Sequence, residues 1–180
     1  MEQGIAQRLK DTEEWLLKEH SGIRTGQAAP ALLDSVKVES YGSYMPLNQV
    51  GSIGIEDART LRISVWDNSI ISAIERAIRD ADLGVSTVTD SSGIRVIFPE
   101  LTADRRVQLL KLAKNKLEDA RIAVRAIRDE AMKQIEKQQK EGEISEDQKF
   151  SLKEKIQSLV DKTNQALETQ FQKKETELQK

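Results

Sequence analysis

Leu109, Ala113, Leu117, Ala120, Val124, Ile127, Ala131 and Ile135 follow one another at steps of three and four, with no proline or glycine between them. That spacing puts them all on one face of an α-helix. The helix opens at Leu101-Thr102-Ala103-Asp104, where Thr102 can cap and Asp104 lies near the positive end of the dipole, and it runs to about residue 140. At 1.5 Å per residue it extends about 50 Å. A helix of that length outruns the core of a small globule, so it must be the spine of an extended bundle.

Partners for this spine are present on both sides of it. Ile5, Leu9, Thr12, Leu16 and Ile23 share a helical face over about residues 3–24, and the pattern dissolves at Thr25-Gly26 with Pro30 beyond. After the break at Glu141-Gly142-Glu143, Ser145 and Gln148 have the spacing of a capping box. Leu152, Ile156, Leu159, Thr163, Ala166, Gln170 and Leu178 then mark a third stripe, as long as the second. Two long helices joined by a tight turn make an antiparallel hairpin. The shorter first helix covers their seam, which predicts a three-helix bundle.

Between the first and second helices the texture changes, because about residues 30–103 hold all three prolines and most of the glycines. Val36 and Val38, Ile53 and Ile55, Leu61, Ile63 and Val65, and Ile94, Val96 and Phe98 alternate as strands do. Ile71, Ile74, Ala77, Ile78 and Ala81 form one helical stripe between Ser69 and Leu83-Gly84. The expected fold is therefore α+β: a bundle of residues 1–29 plus 104–180, with a small β/α/β domain of residues 30–103 inserted. The chain enters that domain near Ala29, Pro30 and Ala31 and leaves near Leu101, Thr102 and Ala103, so the two connections are expected to lie side by side as a paired hinge.

Composition removes several kinds of chemistry. With no Cys, a disulfide scaffold, a cysteine nucleophile and a zinc ribbon are impossible, and with the only His in the first helix no His-containing nucleophile triad is expected. That imidazole, His20, sits between Glu19 and Ser21 in the first helix and reads as a surface residue. Carboxylates are scattered among basic residues, as on a solvated face, so neither paired-carboxylate catalysis nor a metal site is expected. GxGxxG and GxxxxGK[ST] are both absent, and any GTP or ATP use must come from a partner. Gly51-Ser52-Ile53-Gly54 has the outline of an RNA-clamping GxxG loop, but it flanks strand-like segments and reads as a bulged strand or a turn. Trp15 and Trp66 are too isolated for a base-stacking platform, and Tyr41 and Tyr44 frame Gly42 in a hairpin turn. No apolar run approaches the ~18 residues of a membrane span, and the N-terminus has neither a signal core nor an Arg-rich transit pattern. The cytoplasm is the expected compartment.

Charge supplies the positive clue. The net charge is −2, yet residues 104–140 carry 11 basic and 6 acidic side chains, so this block is +5 within a chain whose remainder is −7. On a wheel with ~100° per residue and Val124 at zero, the apolar stripe spans about −60° to +20°. Arg128, Arg121, Lys114 and Arg125 then fall at about 40°, 60°, 80° and 100°. These four cations form one ridge beside the buried stripe, on a helix long enough to follow a nucleic-acid backbone. The guanidinium fork suits phosphate. Salt bridges to acids of the other helices, such as Glu13, Glu14 or Glu168, explain the same ridge equally well at this level. A helical adaptor that binds another protein through the bundle is the alternative function.

Several stretches resemble the ribosome recycling factor family: Ile23-Arg24-Thr25-Gly26 with Ala28-Ala29-Pro30, Val38-Glu39-Ser40-Tyr41-Gly42, Ile55-Glu56-Asp57-Ala58-Arg59-Thr60-Leu61, Ala81-Asp82-Leu83-Gly84, Leu101 to Arg106, Ala120 to Arg128, and Ile144-Ser145-Glu146-Asp147. The resemblance covers nearly the whole chain. It implies an L-shaped, two-domain, non-enzymatic protein, without a cofactor and acting as a monomer. Such a protein binds the ribosome after termination and separates its subunits with elongation factor G and that factor's GTP hydrolysis. It also implies that Arg121, Arg125 and Arg128 touch large-subunit ribosomal RNA, which favours the interface over the salt-bridge reading. Two positions depart from the family pattern: Gln27 and Asp129 stand where arginine is usual, and each removes a cation near the expected RNA surface.

Overall fold

The computed structural model describes residues 2–179. In chain order the elements are helix α1 (Glu2–Ser21), strands β1 (Lys37–Ser40) and β2 (Ser43–Pro46), a single helical turn α2 (Leu47–Val50), strands β3 (Gly51–Asp57) and β4 (Thr60–Val65), helix α3 (Ile71–Asp80), strands β5 (Ser86–Asp90) and β6 (Gly93–Ile97), and the long helices α4 (Ala103–Lys140) and α5 (Glu146–Gln179). The fold is α+β, and it divides into two compact units: Met1–His20 with Leu110–Thr176, and Ser21–Leu109 with Glu177–Lys180.

The first unit is a three-helix bundle. From α1 it buries Ile5, Leu9, Thr12, Leu16 and His20, and from α4 the stripe Ala113, Leu117, Ala120, Val124, Ile127, Ala131 and Ile135. The α4 face is the one the three-and-four spacing predicts. On α5 the buried positions are Ile156, Val160, Thr163, Leu167, Phe171 and Lys174. Leu159, Ala166 and Gln170, expected on this face, are only half-buried and flank it. The ambiguity arises because Leu159-Val160 and Ala166-Leu167 are adjacent apolar pairs, and a lysine stands on the buried side where an apolar residue would have fixed the phase. Cross-links show that α1 runs antiparallel to α4: Arg8 pairs with Glu130 at 2.8 Å and Glu19 with Lys116 at 2.8 Å.

The turn between α4 and α5 is built by local chemistry. Gly142 takes φ +75° and its N–H donates to Gln139 O, while the Glu143 N–H donates to Gln138 O, the paired bonds of a Schellman cap. Ser145 and Gln148 then cap α5 reciprocally, Ser145 N–H to Gln148 Oε1 at 2.9 Å and Gln148 N–H to Ser145 Oγ at 3.2 Å. Thr102 likewise caps α4 by accepting from the Arg105 N–H at 3.2 Å.

His20 is not on the surface. Only 4% exposed, it places Nε2 3.0 Å from the Ala113 carbonyl of α4 and its ring 6.3 Å from that of Phe171 on α5. Its neighbours Glu19 and Ser21 are polar, which disguises a position four residues beyond Leu16 and therefore on the buried face.

The second unit is built on a four-stranded antiparallel sheet of order β3-β4-β6-β5, with a separate β1-β2 hairpin turning at Tyr41-Gly42. Leu61 pairs with Val96 and Ile63 with Ile94, and all four are fully buried with Ile74 and Ile78 of α3. On the opposite face Arg62 lies across from Arg95. Their repulsion is relieved by Asp90, 2.7 Å from Arg62, and by Glu56, which pairs with both arginines. The Arg62 and Ser92 hydrogen bonds hold the Asp90 carboxyl far below the usual carboxylate range. Gly51 and Gly54 both belong to β3, which has an irregularity between Ile55 and Asp57. A Cβ on Gly51 would lie 2.6 Å from the Ser64 carbonyl oxygen, so the glycine permits close strand approach.

The boundary of this unit differs from the expected 30–103. Ala28 is buried with its N–H bonded to Ala58 O at 2.7 Å, Pro30–Leu33 form a 3-10 turn, and Leu32 and Leu33 enter the core. Apolar side chains at 28, 32 and 33 thus tie the expected entry hinge, Ala29-Pro30-Ala31, into the sheet unit. Between α1 and this turn, residues 22–29 have no helix or strand, and neither do residues 98–102 on the return.

Candidate nucleic-acid interface

The flank of α4 that meets α5 carries the cationic ridge, and the structure shows what each member touches. Arg121 Nη2 lies 2.6 Å from Glu168 of α5, and its Nη1 lies 3.8 Å from Glu118. Arg125 reaches the same Glu118 at 3.4 Å, so one carboxylate serves two guanidinium groups. Arg128 donates from Nε to Gln157 Oε1 at 2.8 Å and lies 3.3 Å from Asp129. Lys114 is exposed and has no carboxylate at ion-pair distance among the described residues.

Both sequence-level explanations of the ridge therefore meet in one place. Glu168 is one of the acids expected as a partner, whereas Glu14 pairs with Lys10 and Glu13 offers its backbone carbonyl to Gln170. Pairing does not bury the cations: the Arg121, Arg125 and Arg128 side chains stay 39%, 67% and 42% exposed. Ion pairs this exposed are worth about 0–1 kcal/mol each, so a set of fixed phosphates can displace such partners. Beside Arg128 an open groove of about 630 Å³ runs along Met132, Lys133, Glu136, Lys153 and Gln157.

A second cationic group lies in the sheet unit, and the helical wheel does not find it. Arg24 stacks its guanidinium 5.5 Å from the Phe98 ring centre, with Nε and Nη2 buried and without a hydrogen-bond partner. Burial, then repulsion from Arg105 and Arg59, lowers its pKa. Arg59 has Glu100 at 3.2 Å, while Arg105 donates to Gln108 Oε1 and Arg106 to the Leu178 carbonyl. Arg24 follows the end of α1 and Arg105 opens α4, so no single helix displays them together. In the sequence these arginines fall in separate stretches of the resemblance, Ile23-Arg24-Thr25-Gly26, Ile55 to Leu61 and Leu101 to Arg106. Gln27, one of the departures, sits in a local turn bonded to Thr25 Oγ1.

Other expected features take ordinary places. Lys116 lies 5.7 Å from the Trp15 ring centre, and Trp66 is exposed beside Asp67, which accepts from the Tyr41 hydroxyl at 3.0 Å. Among the described residues no group of His, Asp or Glu is placed to hold a metal ion, and no helix is long and apolar enough to cross a membrane.

Residues 16–178 match the family model described as Ribosome recycling factor. The chain belongs to the ribosome recycling factor family. The ribosome-recycling factor of Chlorobium phaeobacteroides (strain DSM 266) is 44% identical over 178 residues, 97% of this chain and 96% of its own length. That of Granulibacter bethesdensis is 43% identical over 161 residues, 89% and 86% of the two chains. A solution structure of the ribosome recycling factor superposes with a TM-score of 0.80 at 35% identity, covering 99% of this chain and 95% of the other. A structure giving models for the T. thermophilus ribosome recycling factor and the E. coli elongation factor G bound to the E. coli post-termination complex superposes with a TM-score of 0.68 at 36% identity, covering 97% and 95%. Members of the ribosome recycling factor family are translation factors rather than enzymes, and this chain is one.

Proposed function

We propose that the chain binds the ribosome after termination and, with elongation factor G and the GTP which that factor hydrolyses, separates the subunits for a new round of translation. The T. thermophilus relative bound to a post-termination complex together with elongation factor G supports this reading. The observation that carries it is the ridge of Lys114, Arg121, Arg125 and Arg128, solvent-accessible along one flank of a 38-residue helix. In this reading the ridge takes phosphates of large-subunit ribosomal RNA, and Arg24, Arg105 and Arg106 supply further cations. The protein works as a cytoplasmic monomer without a cofactor. Elongation factor G supplies the free energy, and the inserted domain moves by flexing residues 25–27 and 99–102, a stretch that includes Leu101 and Thr102.

The test is light scattering of post-termination ribosomes mixed with the protein, matched elongation factor G and GTP. A fall that requires all three supports subunit separation, and no fall with components of proven activity refutes it in favour of the adaptor. Binding to purified large subunits tests the interface itself. Each of R121A, R125A and R128A should weaken binding and lower the slope of log K against log salt by about one. An unchanged slope for all three variants would remove the ridge from the interface.

A further inference from the structure

The three arginines of the ridge are not bare cations, and their pairing bears on what the ridge binds. Glu118 is shared between Arg121 at 3.8 Å and Arg125 at 3.4 Å, and Glu168 holds Arg121 at 2.6 Å from the facing helix. Resting on the proposed ribosomal-RNA reading of this surface, we infer that Glu118 and Glu168 are specificity-determining residues that keep Arg121 and Arg125 from engaging loosely held phosphates. They admit only phosphates fixed at the spacing of the ridge.

The argument is one of exchange. A phosphate that approaches Arg121 or Arg125 must replace a carboxylate already in place, and until it does so it feels that carboxylate's repulsion. For a mobile single strand, each exchange swaps one anion for another and orders a flexible backbone as well, so little is gained and both arginines stay with their acids. For a rigid RNA surface, the entropy of ordering has already been lost in folding the RNA, and several phosphates arrive together. Glu118 and Glu168, themselves exposed, then swing to solvent and both arginines pass to phosphate. Sharing sharpens the effect, because displacing Glu118 is worthwhile only when phosphate is available to Arg121 and Arg125 together. Gln157 and Asp129 play a weaker version of this part at Arg128, where the main acceptor is a neutral amide.

Salt dependence reads this out directly, since each arginine engaged with phosphate adds about 0.7 to the slope for a single strand and about 0.9 for a duplex. The experiment compares the wild-type protein, E118Q, and E118Q/E168Q in binding poly(U) and purified large ribosomal subunits from low to moderate salt. Glutamine keeps the size and one acceptor oxygen but removes the charge. The double variant should bind poly(U) about tenfold more tightly at low salt, with a slope steeper by about 1.4, while its slope on large subunits stays unchanged. E118Q alone should show part of the same effect. It also serves as the control if the double variant loses the wild-type circular dichroism spectrum. Equal slopes for wild type and variants on poly(U), or an equal steepening on both targets, would overturn the inference. A failure of the interface reading is separate from this, because it appears as R121A and R125A leaving the slope on large subunits unchanged.

Discussion

His20 is the chain's only histidine, and it gives the bundle a pH dependence that can be assigned to one atom. The Ala113 carbonyl can only accept, so the 3.0 Å contact puts the imidazole proton on Nε2 and leaves Nδ1 as a bare acceptor, buried without a partner. Protonating Nδ1 would bury a cation near Lys174, itself 7% exposed. Burial accordingly lowers the His20 pKa below 6.5. The Ala113 bond opposes this, Lys174 adds to the lowering and Glu19 works against it. The sign follows: as pH falls through 6.5 the unfolded imidazole takes up a proton that the folded one refuses, so stability is lost on acidification. One proton sets a ceiling of about 1.4 kcal/mol per pH unit. Glu130 and Glu136, whose pKa values fall below 4.5 through bonds to Arg8 and Lys153, and Asp57, Asp67 and Asp90, which fall below 3.8, lose their contributions only in stronger acid. The interval from about pH 6.5 to 5 therefore belongs to His20. The perturbation is H20Q, whose amide can still donate to Ala113 O but cannot titrate. Urea unfolding followed by far-ultraviolet circular dichroism should show H20Q less stable by about 1–2 kcal/mol at pH 7.5, from poorer packing and a weakened buried hydrogen bond. The gap should close as pH falls to 5. Parallel losses in wild type and H20Q over that interval would refute the assignment.

Further expectations follow from single contacts. Gly93 has φ +144° and a Cβ there would stand 2.0 Å from Ile63 O, so G93A should destabilise the sheet unit by more than about 2 kcal/mol by thermal unfolding. G54A, whose Cβ meets nothing within 4 Å, should change stability by less than about 0.5 kcal/mol and is the matched control. S145A should cost about 1 kcal/mol in urea unfolding, because Gln148 N–H loses its acceptor at the start of α5, and Q148A somewhat less, since it exposes only the Ser145 N–H.

What could be read from the sequence depended on how many independent signals agreed at each position. The α4 stripe was legible because eight apolar residues keep one phase over several turns without interruption, and only a helix explains that. The sheet core was legible for a similar reason, since Leu61, Ile63, Ile94 and Val96 alternate with Arg62 and Arg95. β5 was missed because Ser86–Asp90 is a polar edge strand whose Val88 stays half-exposed, so no alternation of burial is written into it. The α5 phase and His20 failed at the same kind of place, where a polar side chain occupies the buried face. Lys174 and His20 lie near each other in that interior, and the Ala113 carbonyl that holds His20 comes from another helix, which no one-dimensional pattern contains.

The candidate interface illustrates the same limit from the side of charge. A wheel places Arg121, Arg125 and Arg128 on one flank, but it cannot say which acids face them, and the facing acids decide how the ridge behaves. On the flank of α4 toward α1, Lys116 is paired with Glu19 and Glu130 with Arg8, so the sign alternates along that flank. On the flank toward α5 the four cations of the ridge outnumber their carboxylate partners, because Glu118 serves two arginines, Arg128 leans chiefly on a neutral glutamine, and Lys114 meets no acid among the described residues, while farther along Lys153 of α5 pairs with Glu136 of α4. Four of the eleven basic side chains of residues 104–140 thereby line one side of one helix. Under the proposed function, that asymmetry, rather than the charge count, distinguishes the candidate phosphate-binding flank from the seam with α1. Reversing it tests the point: K116E should disturb α1 packing and leave the salt slope on large subunits intact, whereas K114E should leave stability within about 0.5 kcal/mol and lower that slope.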